Sequence, residues 1–527
     1  MGIRSVLTIA LIASISVVEI TQAAKILSIF PYSGPSQYIF ISPLLKALAE
    51  KGHEVTSIST FPQKQPLKNF RDVPVMENSN SFDEIMTETT SSEGKTKSFF
   101  QEYVEFTALG VDISSNVLEN SEVKKLFQNE KFDLLIIEVM STESLLGLGE
   151  YLQAPMIAVS TFGTISFIDY LSGNPSPPSY LPHISLPYDN HMSLWERTVN
   201  VLAYLLDDLC LNYLILPRQE AVYKKYFPNA KLSLDEARKN VSLVLLNDHF
   251  TLRAPRPYVP NMIEVGGLHI KQNPEPLEED LQKFLDTSPE GVIYFSMGSN
   301  VKSKDLPPET LKAIIETFEE LKIKILWKFE LEELPNKPDN VIIRKWFNQP
   351  GILSHPNVKL FISHGGYLST TETIFYGKPI LGIPVMGDQF MNVKNAVRAG
   401  FALQLDLKSL TKELFKEKIQ ELWSNPRYTN AVRTLSKRFK DQPLTPLETA
   451  IYWVEYVLRH EGAPHIRNAG QDLSFIQYHN IDVYFILTGC IVVVLSLFIG
   501  LLCVVKRIVC GSRKQSRKSQ NSKIKKN

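Results

Sequence analysis

The chain reads as an α/β protein, with two doubly wound parallel-sheet domains facing across a cleft and one C-terminal transmembrane helix. Three observations predict this. Two stretches alternate short β-branched or apolar runs with helix-length amphipathic segments, the pattern of βαβ units. Between them lies a Pro-rich passage, Ala254 to Pro276, that cannot be regular structure throughout. Near the end, Val483 to Val505 runs 23 residues without a charge, which as a helix at ~1.5 Å per residue covers the ~30 Å hydrocarbon core of a bilayer.

In chain order, residues 1–23 carry one early positive charge (Arg4), an apolar stretch from Val6 to Val18, and Thr21-Gln22-Ala23 with small residues where signal peptidase cuts. They read as a cleaved secretory signal. The first domain, 24–267, has expected strands at Ile26–Phe30, Glu54–Ser59, Leu134–Val139 and Met156–Ser160, and a helix at Ile41–Lys51. The second, 268–460, has expected strands at Gly291–Ser296, Lys324–Lys328, Val341–Arg344, Lys359–Ser363 and Ile380–Ile383. Its helices are expected at Pro308–Leu321, Ser369–Tyr376 and Gln389–Ala399, with a late amphipathic helix at Pro446–Arg459. A juxtamembrane segment (461–482), the span (483–505) and a basic tail (506–527) complete the chain. Ligands of doubly wound sheets sit beyond the carboxyl ends of the strands, so the site is expected between the two domains.

Charge gives the compartment. The 527 residues include 56 Lys+Arg and 56 Asp+Glu, and at 44% hydrophobic the chain can bury large cores. A net charge of zero argues against a nucleic-acid partner held by a general positive field. The balance hides an asymmetry: the tail from Lys506 holds nine basic residues and no acidic one. Without those nine, and without Arg4 and Glu19 of the leader, the body has 46 basic residues against 55 acidic ones. Lys506 and Arg507 directly follow the span, so the positive-inside rule places the tail in the cytoplasm and the body in the lumen, a single-pass type I arrangement. Lys523 and Lys525, three and five places from the C-terminus, resemble the dilysine signal read by coat machinery that returns proteins to the endoplasmic reticulum. A basic tail touching anionic lipid is compatible with this. Of four cysteines only Cys210 is expected in the lumen, which leaves no partner there for an intrachain disulfide and too few for a zinc cluster. Asn240-Val241-Ser242 is a glycosylation sequon on the lumenal side, and Asn240 stands where the following apolar run would start a strand.

The chemistry is concentrated in Lys345 to Pro350, Phe361 to Glu372 and Gly387-Asp388-Gln389. A strand that ends in His364-Gly365-Gly366 and passes into a helix beginning Ser369-Thr370-Thr371 presents free backbone N–H groups and a positive dipole end to an anion. That is a cradle for a diphosphate. Its glycines allow close backbone approach and His364 can add a donor. One turn into the helix, Glu372 is placed to accept hydrogen bonds from sugar hydroxyls.

By these residues the chain resembles the UDP-glycosyltransferases, from the leader to the dilysine tail, and within them the invertebrate-like members. The spacing of Trp346, Gln349, His364, Gly365, Gly366, Glu372, Pro384, Asp388 and Gln389 follows that family's signature. The resemblance implies a GT-B fold, in which the C-terminal domain holds UDP-sugar and the N-terminal domain a small lipophilic acceptor. It implies that Trp346 stacks on uracil, that Gln349 lies by the nucleoside, and that His364, Gly365, Gly366 and Ser369 meet the diphosphate. Glu372 would bind ribose, and Asp388 with Gln389 the transferred sugar. Ser296 to Asn300, with Ser299, looks like the family's first donor loop. UDP-sugar is then a co-substrate, and no cofactor is expected. No metal is expected either, because the lumenal body lacks an Asp-x-Asp pair and the cradle neutralises the phosphates by backbone dipoles.

The acceptor side departs from the family. Its usual base histidine follows the first strand, and here that position is Gln37, which can donate and accept hydrogen bonds but takes no proton at neutral pH. The acidic partner is Glu138 where Asp is more usual. Three readings stand open: acceptors such as amines or acidic phenols that need little base help, with Gln37 orienting them; Glu138 as the base itself; or a donor-binding, catalytically weak subunit that partners active homologues in an oligomer. Glucose is the sugar expected from the pairing of Gln37 with Glu138, by resemblance to invertebrate members. The segments about 80–129 and 173–200, expected to line the acceptor pocket, carry no readable code.

Overall fold

The computed structural model describes residues 23–79, 99–186, 188–253 and 255–524. Nearly all of the expected leader, residues 80–98 of the expected acceptor pocket, and Lys525 lie outside these residues. The chain divides into two compact units, one ending at Asn468 and the other beginning at Ala469.

The first unit holds two parallel sheets. One comprises β1 (Lys25–Phe30), β2 (Glu54–Ser59), β3 (Phe70–Pro74), β4 (Leu134–Glu138), β5 (Met156–Ser160), β6 (Leu243–Leu246) and β7 (Met262–Glu264), in the order β3-β2-β1-β4-β5-β6-β7. The other comprises β8 (Val292–Ser296), β9 (Lys324–Lys328), β10 (Val341–Arg344), β11 (Val358–Ser363), β12 (Ile380–Gly382) and β13 (Ala402–Gln404), in the order β10-β9-β8-β11-β12-β13. All pairings are parallel. Central strands such as β4 and β5 are buried at every residue, which is why they read as unbroken apolar runs rather than alternating ones. Strand order reverses between β1 and β4 and again between β8 and β11, and the carboxyl ends at those two switch points carry the segments that line the interdomain cavity.

Several boundaries differ from expectation, each for a local reason. The first helix is Pro35–Glu50 and starts six residues before Ile41, because Pro35 at its start has φ already set for a helix. Gln37 therefore sits in its first turn, where its N–H reaches Gly34 O at 3.1 Å. The helix after β11 is Tyr367–Tyr376, with Gly366 as N-cap, and begins before Ser369. Asn240 does not start a strand: it caps the C-terminus of the helix Leu234–Lys239, is exposed, and β6 begins three residues later.

The helix Pro446–Arg459 opens with a capping box between Thr445 and Glu448 and returns to the first sheet. Its Ala450, Val454 and Val457 share a buried cluster with Ile26 of β1 and with Phe40 and Leu44. The segment 173–200 contains a second capping box, Ser193 with Glu196, that starts the helix Leu194–Cys210. Along that helix Leu194, Trp195, Leu202, Leu205, Leu206 and Leu209 are exposed.

In the second unit, the helix Ile481–Ile524 includes Ile481–Arg513, which is long and apolar enough to cross a membrane, with a mean hydropathy of 2.8 over its most apolar window. Among the described residues Leu194–Tyr226 passes the same length and composition test, at 1.5.

Candidate active site

A cavity of about 110 Å³ opens where the two switch points meet, lined from the first sheet by Ser36, Gln37, Thr161 and Phe162. From the second it is lined by Gly298 to Asn300, His364, Gly366 to Ser369, Asp388 and Gln389. Seven of the residues expected in the site thus share it: Gln37, Ser299, His364, Gly366, Ser369, Asp388 and Gln389. Trp346, Gln349, Gly365, Glu372 and Glu138 stand behind or beside it.

The cradle is built as the sequence implies. β11 ends at Ser363, whose Oγ accepts from Gly365 N–H at 3.2 Å, and β8 ends at Ser296, whose Oγ accepts from Gly298 N–H at 3.2 Å. Gly365 and Gly298 have φ of 80° and 84°, in the left-handed region that favours glycine. The imidazole of His364 lies between Gly298 and Gly366: a β-carbon added to either would fall 2.3 Å or 2.6 Å from ring atoms. In the helix Tyr367–Tyr376 the N–H of Thr370 closes onto Gly366 O at 3.0 Å, and the N–H groups before it are left to the cavity. Burial, with Lys328 adding to it, pushes His364 down to about 4, so at neutral pH it is an uncharged imidazole that donates one hydrogen bond.

The nucleoside side has an exposed platform and a buried clamp. Trp346 is 58% exposed, and Lys328 Nζ lies over its ring, 5.7 Å from the centroid. Three residues on, Gln349 Nε2 donates to Glu372 Oε2 at 2.6 Å and to Ser369 Oγ at 3.1 Å, while Tyr294 O–H donates to Gln349 Oε1 at 3.3 Å. Glu372 is buried, and its Oε1 is 3.4 Å from Nε2 of the buried His269. The expected sugar-binding carboxylate is therefore held from two sides and does not line the cavity.

Asp388 and Gln389 divide their work. Asp388 precedes the helix Gln389–Arg398 but makes no side-chain cap; its Oδ2 accepts from Asn392 Nδ2 at 2.7 Å. Burial raises its carboxyl above the usual range. Gln389 Oε1 accepts from the N–H groups of Val385 and Met386, at 2.8 and 3.0 Å, which locks the preceding turn and leaves its amide N–H₂ for a ligand. Ser299 lies at the rim, its Oγ 3.4 Å from Asn300 Oδ1.

On the acceptor side, Gln37 and Glu138 do not form a pair. Gln37 Nε2 points to Met140 Sδ at 3.3 Å, and its Oε1 is buried without a partner. Glu138, at the end of β4, is 1% exposed; Oε1 accepts from Thr161 O–H at 3.1 Å and Oε2 has no partner. Burial pushes this carboxyl up to about 8, against a smaller opposing effect of the Thr161 hydrogen bond.

Sequence reasoning missed Thr161, Tyr367 and Asp248. Thr161 immediately follows β5, the neighbour of β4, and the rule that ligands sit at strand carboxyl ends points to it. Tyr367 O–H donates to Asp248 Oδ1 at 2.9 Å, and the Arg253 guanidinium lies 5.0 Å from the Tyr367 ring, so the cradle helix is tied to the loop after β6. Nothing local in the sequence marks that contact. A larger cavity, about 320 Å³, is lined by His183, Tyr204, Asp207, Arg253, Met391 and Arg398 among others.

Comparison with known proteins places this geometry. The family model described as "UDP-glucoronosyl and UDP-glucosyl transferase" matches residues 24–516. UDP-glycosyltransferase UGT5 of Dactylopius coccus is 37% identical over 492 residues, 92% of this chain and 93% of that one. UDP-glucosyltransferase 2 of the same organism is 36% identical over 480 residues, 89% and 91% of the two chains. Among solved structures, UDP-glucose: anthocyanidin 3-O-glucosyltransferase in complex with UDP aligns with a TM-score of 0.53 at 17% identity, covering 82% of this chain and 99% of that one. With two parallel α/β sheets facing across a cavity, the protein has the GT-B fold, and it belongs to the UDP-glucuronosyl and UDP-glucosyl transferase family of glycosyltransferases.

Proposed function

We propose that the protein transfers glucose from UDP-glucose to small lipophilic acceptors, with inversion at the anomeric carbon, as a detoxifying enzyme of the endoplasmic reticulum membrane whose body is lumenal. The observation that carries the transfer reading is the cradle at His364 to Ser369 facing Gln37 and Thr161 across one cavity. A donor lying with its diphosphate on the cradle would present its sugar to whatever acceptor sits by the first sheet. Inversion follows from attack on the face opposite the leaving phosphate. A neutral hexose is favoured because, among the described residues, no Lys or Arg lines this cavity, and a glucuronate carboxylate would find Asp388 there instead. The name of UDP-glucosyltransferase 2 from Dactylopius coccus supports the same sugar. The membrane and type I readings rest on the apolar helix from Ile481 and the basic residues after Val505. Modification at Asn240 and capture of the Lys523/Lys525 tail by coat machinery belong to the same reading, as does a cavity that works without a metal.

The second reading, a donor-binding but catalytically weak subunit of a homo- or hetero-oligomer, is favoured by one observation: Gln37 occupies the base position and its amide is engaged by Met140. A donor screen on the detergent-solubilised full chain separates the two, reading UDP release with UDP-glucose, UDP-glucuronate and other UDP-sugars against phenol and amine acceptors. Turnover with UDP-glucose above the rest is the expected result. UDP binding without turnover for any pair would hand the case to the subunit reading.

A further inference from the structure

The transfer reading leaves unanswered which group takes the acceptor's proton, since Gln37 takes none and Glu138 does not reach the cavity. We propose that Thr161 is a catalytic residue that relays the acceptor's proton to Glu138, its hydroxyl accepting from the nucleophile on the cavity side while donating to the carboxylate behind it.

The geometry is directional. Thr161 Oγ1 gives its hydrogen to Glu138 Oε1 at 3.1 Å, so its lone pairs are free to accept from a ligand. Thr161 lines the cavity that also holds His364, Gly298, Asp388 and Gln389, whereas Glu138 is 1% exposed. Glu138 ends β4 and Thr161 follows the neighbouring β5, where Val159, two residues before Thr161, is in register with Glu138. Gln37 lines the same cavity, and its Oε1 is buried with no partner in the protein. A nucleophile that donates its N–H or O–H to the Thr161 hydroxyl is deprotonated through it.

The step balances without a further reactant. The acceptor oxygen or nitrogen forms a bond to the anomeric carbon, and the bond from that carbon to the β-phosphate oxygen breaks with its electron pair onto UDP. The acceptor's proton passes to Thr161 Oγ as the threonine's own proton passes to Glu138 Oε1. Burial has already raised the Glu138 carboxyl to about 8, near the operating pH that general base catalysis favours. Tyr32 lies near it, held protonated by burial and by the charges of Glu138 and Glu143, and the Glu143 carboxyl is itself raised by burial.

This inference rests on the transfer reading and is tested on the full chain with UDP-glucose and a phenol acceptor, comparing Thr161→Val, Thr161→Ser and Glu138→Gln. The wild type should show a rate that rises with pH through about 8. Thr161→Val should lower kcat by ~10²-fold or more and flatten that rise, as removal of a general base does. Thr161→Ser should keep both, UDP affinity should be unchanged in all three, and the Thr161→Val/Glu138→Gln double variant should lose little more than either single one. If Thr161→Val keeps the wild-type rate and pH profile, or if Thr161→Ser falls as far as Thr161→Val, the relay is wrong while the transfer reading stands. A wild type that releases no UDP from any donor overturns both.

Discussion

The ring of His364 packs against the α-carbon of Gly298, so close that a β-carbon there would lie 2.3 Å from Cε1. The first donor loop and the cradle are thereby closed on one imidazole. Gly298 also sits at φ 84°, where an L-residue pays roughly 1–2 kcal/mol. Gly298→Ala must therefore move the loop or the histidine, and either displaces a phosphate ligand. Titration calorimetry of the full chain with UDP should show affinity at least ~10-fold weaker, about 1.4 kcal/mol. Unchanged UDP affinity would mean that His364 does not organise the donor site.

Trp346, which the resemblance places against uracil, is exposed, which gives its removal a distinctive signature. A base stacked on an aromatic ring is worth ~1–3 kcal/mol, so Trp346→Ala should weaken UDP by roughly 5- to 150-fold. Because the residue is 58% exposed, the melting temperature should hardly change, as for most surface substitutions. Trp346→Phe should recover most of the affinity. Equal losses of affinity and melting temperature would show that the indole supports the fold instead.

What could be read without coordinates follows from where the information is stored. Strands Glu54–Ser59, Lys324–Lys328 and Val341–Arg344 were legible to the residue because each is a compact β-branched or apolar run. β3 (Phe70–Pro74) was not, since an edge strand with Arg71 exposed, only Val73 buried and a terminal proline looks like a loop. β7, three residues inside the Pro-rich passage, exists only through its pairing with β6. The same division holds in the site. His364, Gly366 and Ser369 are read from one strand-loop-helix pattern and Asp388 with Gln389 from the next, and they do meet in one cavity. Thr161 and the His269 contact to Glu372 depend on residues 23 and 103 positions away in the chain, which no local period records.

Gln37 can be returned to the histidine that the family pattern places there. It lines the cavity with a buried, unpartnered oxygen, so an imidazole at that position would face the same ligand. General base catalysis is typically worth ~10²–10⁴-fold. Gln37→His should raise kcat/KM at least ~10-fold for phenols, whose oxygen must lose its proton, and much less for amines. Steady-state rates with UDP-glucose and matched phenol and amine acceptors measure this. An identical effect on both acceptor classes, or none on either, would show that residue 37 does not address the reacting atom.

Glu138 should leave a mark on stability as well as on rate. Burial pushes its carboxyl up to about 8, from an ordinary value of 4.5 once unfolded. Between those two values the folded chain holds a proton that the unfolded chain has released, so the contribution of this group to stability falls as pH rises through that window and levels off above it. Below the lower value both states are protonated and there is no penalty. Glu138→Gln mimics the protonated side chain and cannot ionise, so it lacks the slope. The variant should match the wild type in thermal unfolding near pH 4.5 and exceed it progressively to pH 9. A constant offset across that range would mean that Glu138 is ionised inside the fold, and its hydrogen bond from Thr161 would then be an ordinary charged one rather than a poised acceptor of protons.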